Sequence, residues 1–246
     1  MSYYPAFIDV RERPCVVLGG GEVAWRKVVD LLRAGATVTV VAPRLCLELQ
    51  RLAHHNRVRA VRRAYQCGDL AEAFLAVDAS GNAAVNRAAF AEAQSNRVLI
   101  NVVDRPRRCS FIAPAVVHRD PLMIAISTSG ATPYVCSELR MQLERLVGPE
   151  WGPFVDLVGR IRRALRANRT PSKVQALIYR ELIDSRILEL LRLGCNHEAQ
   201  SLAALIASTP QEQVPRPDLG CADRYEGRET GVTALGKDHR QGRGHG

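Results

Sequence analysis

A chain of 246 residues, 47% hydrophobic and 24% charged, has the composition of a globular protein, with room for one substantial domain and a smaller one. Residues 1–13 carry no apolar leader and no later stretch approaches the apolar run of a membrane-spanning helix, so a soluble cytoplasmic protein with no membrane partner is expected. The net charge of +9 lies within residues 1–210, because residues 211–246 hold as many basic as acidic groups; the folded part is basic and attracts anions.

In chain order, the first hundred residues alternate short β-branched runs with helical patterns, the signature of βαβ units and a parallel sheet. Strands are predicted at 15–18, 37–42, 58–61, 74–79 and 98–103, with helices at 22–33, closed by Gly35, and at 83–94. Extended runs at 110–117 and 122–127 flank His118-Arg119-Asp120-Pro121, a turn-like cluster that predicts a hairpin. Helical patterns follow at 134–146 and 154–167. A longer helix is then predicted with Thr170 as its N-cap, Pro171 at its first position and Gly194 after its last turn. Residues 211–246 hold seven of the eighteen glycines with no apolar period and are expected to be disordered. Seven single cysteines with no CxxC pair point to free thiols, with neither a disulfide framework nor a Cys-rich zinc site.

The segment Val16-Val17-Leu18-Gly19-Gly20-Gly21-Glu22-Val23-Ala24 is a GxGxxA fingerprint where a strand gives way to a helix. Gly19 permits the tight turn, Gly21 lets backbone approach a pyrophosphate, and Ala24 lets the helix pack close to the strand. The acidic residue usually found about 20 positions on, which would hold a ribose hydroxyl, is missing. Ala42-Pro43-Arg44 stands there instead. Arg44 reads either as a receptor for a 2′-phosphate or as a solvated charge, so residue chemistry leaves NAD and NADP open.

Asn101-Val102-Val103-Asp104-Arg105-Pro106 puts a carboxylate at the carboxyl end of a predicted strand, where open α/β sheets bind ligands; the competing reading is that Asp104 caps a turn. Arg105, Arg107, Arg108 and Arg119 follow, either as a solvated face or as a polyanion site beside the carboxylate. Ser127-Thr128-Ser129-Gly130-Ala131-Thr132-Pro133 gathers hydroxyls and backbone N–H groups before a helix, an anion cradle that is also compatible with simple capping by Thr132.

On these motifs, together with Arg26-Lys27, Val40-Val41-Ala42-Pro43 and Ser110-Phe111-Ile112-x-Pro114, residues 3–210 resemble the precorrin-2 dehydrogenases, a family that includes bifunctional dehydrogenase/ferrochelatases and the N-terminal half of siroheme synthases. The resemblance implies a Rossmann-like α/β domain over 1–112, a small β-rich dimerisation segment over 113–149 and a helical C-terminal domain over 150–210, assembled as a homodimer. It implies NAD+ as oxidant, held by Gly19, Gly21, Glu22, Val23, Ala24, Pro43, Arg44 and Ser80. It implies Asp104 as the catalytic base and precorrin-2 as substrate, with Asn101, Arg105, Arg107, Arg108, Arg119, Ser127, Thr128 and Ser129 around it. Ferrochelatase activity would make Fe2+ a further substrate, and no resident metal is expected. The rival readings are a non-catalytic NAD(H) sensor, in which Asp104 is dispensable, and nucleic-acid binding through Arg160, Arg162, Arg163, Arg166 and Arg169. The second is disfavoured because no base-stacking aromatics accompany those charges.

Overall fold

Strands that are apolar on both faces have to be covered on both faces, and the first half of the chain folds to do so. The computed structural model describes residues 3–209. Strands β1 (Pro14–Leu18), β2 (Thr37–Val41), β3 (Arg59–Val61), β4 (Leu75–Asp78) and β5 (Leu99–Val102) form one parallel sheet in the order β3-β2-β1-β4-β5. The connections between neighbouring strands include helices α1 (Glu22–Arg33), α2 (Leu47–His54) and α3 (Ala83–Asn96). Alternate strand residues feed two cores. Val17, Val38, Val40 and Val77 pack with Ala24, Val28 and Leu49 from α1 and α2, whereas Val16, Leu18, Ala76 and Ile100 pack with Ala89 and Ala93 from α3. The chain is therefore a doubly wound α/β sheet, and β1 is the strand from which successive connections depart in opposite directions.

The strands align at their carboxyl ends. Val41 pairs with Leu18, Leu18 with Asp78 and Asp78 with Val102, so the loops after β1, β2, β4 and β5 all leave along one edge. The buried Asp78 carboxylate shapes the β4 exit by accepting hydrogen bonds from the Ser80 N–H at 2.9 Å and from Asn86 Nδ2 at 2.6 Å. Buried Glu92 does the same for the β3–β4 connection, accepting from the Leu70 N–H at 2.7 Å and from the Tyr65 hydroxyl.

The outer margin of β5 is closed without a sixth strand. Its two outward N–H groups, on Ile100 and Val102, donate to Ser110 Oγ at 2.7 Å and to Cys109 Sγ at 3.2 Å, while the Ser110 N–H donates back to the Ile100 carbonyl at 2.8 Å. At the opposite margin β3 is only three residues long.

An antiparallel hairpin of β6 (Ala115–Arg119) and β7 (Leu122–Ile126) follows. His118 and Arg119, expected in the turn, are strand residues opposite Met123 and Leu122; the turn is Asp120-Pro121 alone. Helix α4 (Pro133–Leu146) packs on the hairpin, and α5 (Trp151–Ala167), α6 (Ser172–Asp184), α7 (Ile187–Arg192) and α8 (Asn196–Ser208) surround a third core of Phe154, Leu157, Ile178, Leu182, Ile187 and Ala203.

Two expectations are corrected in this half. The single helix predicted after Thr170 is broken at Ser185, whose hydroxyl donates to the Leu182 carbonyl and accepts from the Ile187 N–H, a local alternative to the helical ladder. Pro171, not Thr170, occupies the cap position, and what Thr170 offers is its carbonyl, to Gln175 Nε2 at 2.7 Å. The expectation of a disordered 211–246 lies outside the described residues. Among the described residues no helix is long and apolar enough to cross a membrane.

Candidate active site

The loop after β1 is built from backbone. Gly19 adopts φ +113, open to glycine, and a Cβ there would come within 2.6 Å of the Ala79 carbonyl oxygen. Gly20 is more crowded still: a Cβ would lie 1.9 Å from the Arg44 carbonyl oxygen, and Gly20's own carbonyl accepts from the Cys46 N–H at 2.7 Å. At Gly21, by contrast, a Cβ would meet nothing within 4 Å. Gly21 caps α1 without any side-chain hydrogen bond, so the first turn of that helix faces open space with its N–H groups directed outward. A cleft of about 340 Å³ opens here, lined by Gly19, Gly20, Pro43, Arg44, Ser80 and Asn82 among others. Open space at Gly21, a helix N-terminus and a cleft at the sheet's switch point together fit a dinucleotide.

The other residues assigned to the cofactor are dispersed. Ala24 is fully buried and packs α1 on the sheet. Glu22 is exposed and pairs with Arg26, and Val23 is exposed beside it; neither lines the cleft. The Ser80 hydroxyl accepts from the Asn82 N–H at 3.3 Å, so it serves the β4 exit loop as well as the cleft wall. Tyr65 and Asn82, which sequence reading passed over, also line the cleft. Burial, and then the hydrogen bond to Glu92, push the Tyr65 phenol above its ordinary value, so the hydroxyl stays a donor.

Asp104 stands in the loop after β5, two strands from β1 and thus about 10 Å across the sheet from the glycine turn. Its φ of +57 is left-handed, a conformation aspartate tolerates better than most residues, and the Arg105 N–H closes the turn on the Val102 carbonyl at 3.1 Å. Among the described residues no hydrogen bond or ion pair engages the Asp104 carboxylate, so it does not cap this turn. The loop is pinned instead by Cys109. Its Sγ receives the Val102 N–H and lies 3.3 Å from both the Val102 and the Arg105 carbonyl oxygens. Burial raises this thiol above its usual range, which keeps the S–H available as a donor. Asn101 braces the returning loop by donating from Nδ2 to the Phe111 carbonyl at 3.1 Å.

Asp104 lines two clefts. One, of about 340 Å³, lies between the β5 exit, the hairpin and the start of α4, with Asn101, Arg105, Cys109, Ser127, Thr128 and Lys27 in its walls. The other, of about 610 Å³, lies between α3 and the short 3-10 turn Pro106–Arg108, and is lined by Ala83, Arg87, Asp104, Arg105, Pro106, Arg107 and Arg108. Ser127 and Thr128 are thus brought to the aspartate, whereas Ser129, at φ +55, is outside the lining residues. The Thr128 hydroxyl donates to the Thr132 carbonyl and accepts its N–H, both at 3.1 Å, which closes the loop; Thr132 stands at the cap position of α4 as expected, but its side chain makes no capping hydrogen bond.

Arg119 is withdrawn from the site. Its guanidinium donates to the carbonyls of Val147 at 2.8 Å, His118 at 2.8 Å and Glu144 at 3.0 Å, so its charge serves the carboxyl end of α4. Lys27 and Arg87 were given no role from sequence, since only the fold shows α1 and α3 reaching these clefts.

A family model described as putative NAD(P)-binding matches residues 6–115. Over 225 residues the chain is 38% identical to a siroheme synthase of Photobacterium profundum, covering 91% of this chain and 48% of that protein. It is 38% identical over 200 residues to siroheme synthase 1 of Serratia proteamaculans, covering 81% and 42%. The chain spans about half the length of the curated relatives it matches. Among solved structures it is similar to SirC, a precorrin-2 dehydrogenase, with a TM-score of 0.68 and 25% identity over 82% of this chain and 99% of that one.

Proposed function

We propose that this chain, which is similar over most of its length to part of the siroheme synthases, oxidises precorrin-2 to sirohydrochlorin with NAD+. The observation that carries this reading is Asp104, a carboxylate without a protein partner among the described residues, on the same sheet edge as the glycine turn and lining two clefts. Gly19, Gly20, Pro43, Arg44 and Ser80 would hold NAD+, with the backbone at Gly21 open to its phosphates, and the bound nicotinamide would supply a hydride acceptor. What remains for the protein is to take one proton from the macrocycle, and Asp104 is the base. Asn101 and Cys109 hold its loop, while Ser127, Thr128, Lys27 and the arginines after Asp104 orient a polyanionic substrate.

Fe2+ insertion into sirohydrochlorin is the second activity we assign to this cleft, with Fe2+ as substrate. The macrocycle nitrogens would take the ion as their two N–H protons leave for solvent, one of them by way of Asp104. We place the protein in the cytoplasm, in keeping with its six free described cysteines. We also assign it a homodimer. Val135, Leu139 and Leu146 are exposed at helical spacing on α4, an apolar stripe that a second copy would cover.

The test is anaerobic incubation of precorrin-2 with NAD+, following NADH formation, and then addition of Fe2+. Asp104→Asn is expected to lower turnover by about 10²–10⁴-fold while NAD+ still binds. Undiminished turnover of that variant removes Asp104 from the chemistry. An unmutated chain that binds NAD+ without turning over precorrin-2 is a nucleotide sensor instead.

A further inference from the structure

We propose that the cleft between α3 and the 3-10 turn Pro106–Arg108 is a carboxylate subsite, and that Arg87 on α3 is the residue that fixes its position. The inference rests on the reading of the substrate as a polycarboxylated tetrapyrrole and deepens it by saying where the carboxylates go.

Four guanidinium groups, Arg87, Arg105, Arg107 and Arg108, line this cleft, and Asp104 is the one carboxylate among its lining residues. Among the described residues no ion pair or side-chain hydrogen bond engages any of the four. Six arginines elsewhere are engaged, Arg11, Arg26, Arg63, Arg140 and Arg192 by a carboxylate and Arg119 by three carbonyls; what sets these four apart from the other unengaged arginines is that they line one cleft together. Like charges gathered around a concavity repel one another, and an anion in the cleft relieves that repulsion. A planar guanidinium matches a carboxylate with two parallel hydrogen bonds, so side-chain carboxylates of the substrate are the fitting chemistry. A space of about 610 Å³ admits side arms with part of a ring, well beyond a single inorganic ion.

Arg87 differs from the other three in its support. Arg105, Arg107 and Arg108 belong to a loop and a three-residue turn, whereas Arg87 sits one helical turn after Ala83 on α3, a helix anchored in the core through Ala89 and Ala93. The N-terminal part of the same helix supplies Val85 to the dinucleotide cleft, next to its cap Asn82. Arg87 therefore ties the position of a substrate carboxylate to the element that borders the cofactor. Asp104 stands in the walls of both the arginine cleft and the cleft under the hairpin, so arms held by Arg87 leave the ring edge beside the aspartate.

Equilibrium binding of uroporphyrin, which bears eight carboxylates, and of deuteroporphyrin, which bears two, is to be compared in the full chain, in Arg87→Gln and in Arg87→Lys, with NAD+ binding measured alongside. Arg87→Gln is expected to weaken uroporphyrin about tenfold and to flatten its salt dependence. Deuteroporphyrin and NAD+ should change less than about twofold, and Arg87→Lys should recover part of the loss as a point charge without the planar fork. Uroporphyrin bound equally well by Arg87→Gln and the unmutated chain overturns the subsite alone. An unmutated chain that binds NAD+ but neither porphyrin overturns the tetrapyrrole reading, and the subsite with it.

Discussion

The glycine turn after β1 and the aspartate loop after β5 share one sheet edge but are held by different means. In the first, Gly19 and Gly20 press against the carbonyls of Ala79 and Arg44, and the tightest contacts are of backbone on backbone. In the second, a thiol, a hydroxyl and an amide, from Cys109, Ser110 and Asn101, stand in for the ladder of a missing strand and carry Asp104 on the bend they create. The backbone-built turn tolerates no added atom where it is crowded, while the side-chain-built loop depends on a few heteroatoms that ordinary substitutions remove. The first is a rigid seat for a cofactor, and the second is a carrier whose geometry can be altered one group at a time.

Three substitutions sharpen this contrast, from the strongest effect to the weakest. Gly20→Ala drives a methyl group into the Arg44 carbonyl at 1.9 Å; it should cost about 3 kcal/mol or more, visible as a lowered Tm with or without NAD+. An alanine accommodated there at full stability would show that the turn is looser than its carbonyl contacts imply. Gly21→Ala adds the same methyl one residue on, where the protein offers nothing within 4 Å, so Tm should hardly move. NAD+ affinity should nevertheless fall about tenfold, roughly 1.4 kcal/mol, if phosphate approaches this backbone. Calorimetric titration with NAD+ separates the two effects, and unchanged affinity would relocate the cofactor.

Cys109→Ala should cost about 1 kcal/mol of stability and slow turnover several-fold while leaving NAD+ binding alone, because it releases the Val102 N–H and the Asp104 bend. Cys109→Ser should restore part of the rate. In an Asp104→Asn background Cys109→Ala should slow turnover no further, since the thiol acts only through the carboxylate it positions. Multiplying losses in that double variant would mean that Cys109 works by some other route.

The same contrast explains what the sequence disclosed. Strand, glycine cluster and helix follow one another in β1 and α1, so patterns of period and turn chemistry locate them, and α1 spans the residues predicted for it. Asp104 was readable as a strand-end carboxylate because the apolar run stops just before it. Helix α2 was missed: it is eight residues long, buries only Leu49 and starts from Cys46, which makes no capping hydrogen bond. Helix α8 was missed because its buried face is largely Ala199 and Ala203, too weakly apolar to mark a period. Arg119 was read as an anion receptor because charge in sequence does not reveal that a helix end will consume it. Arg87 and Cys109 reach the site only through the packing of α3 beside the β5 exit and the return of residues 109–111, and local spacing encodes neither.

The closure of the β5 margin has a bearing on how copies of the molecule can meet. With the Ile100 and Val102 amides already satisfied by Ser110 and Cys109, a neighbouring chain finds no open row of amides along β5, and on the other flank β3 offers only three residues. Growth of the five-stranded sheet from molecule to molecule is thereby closed at its β5 margin and confined to a short stretch at β3.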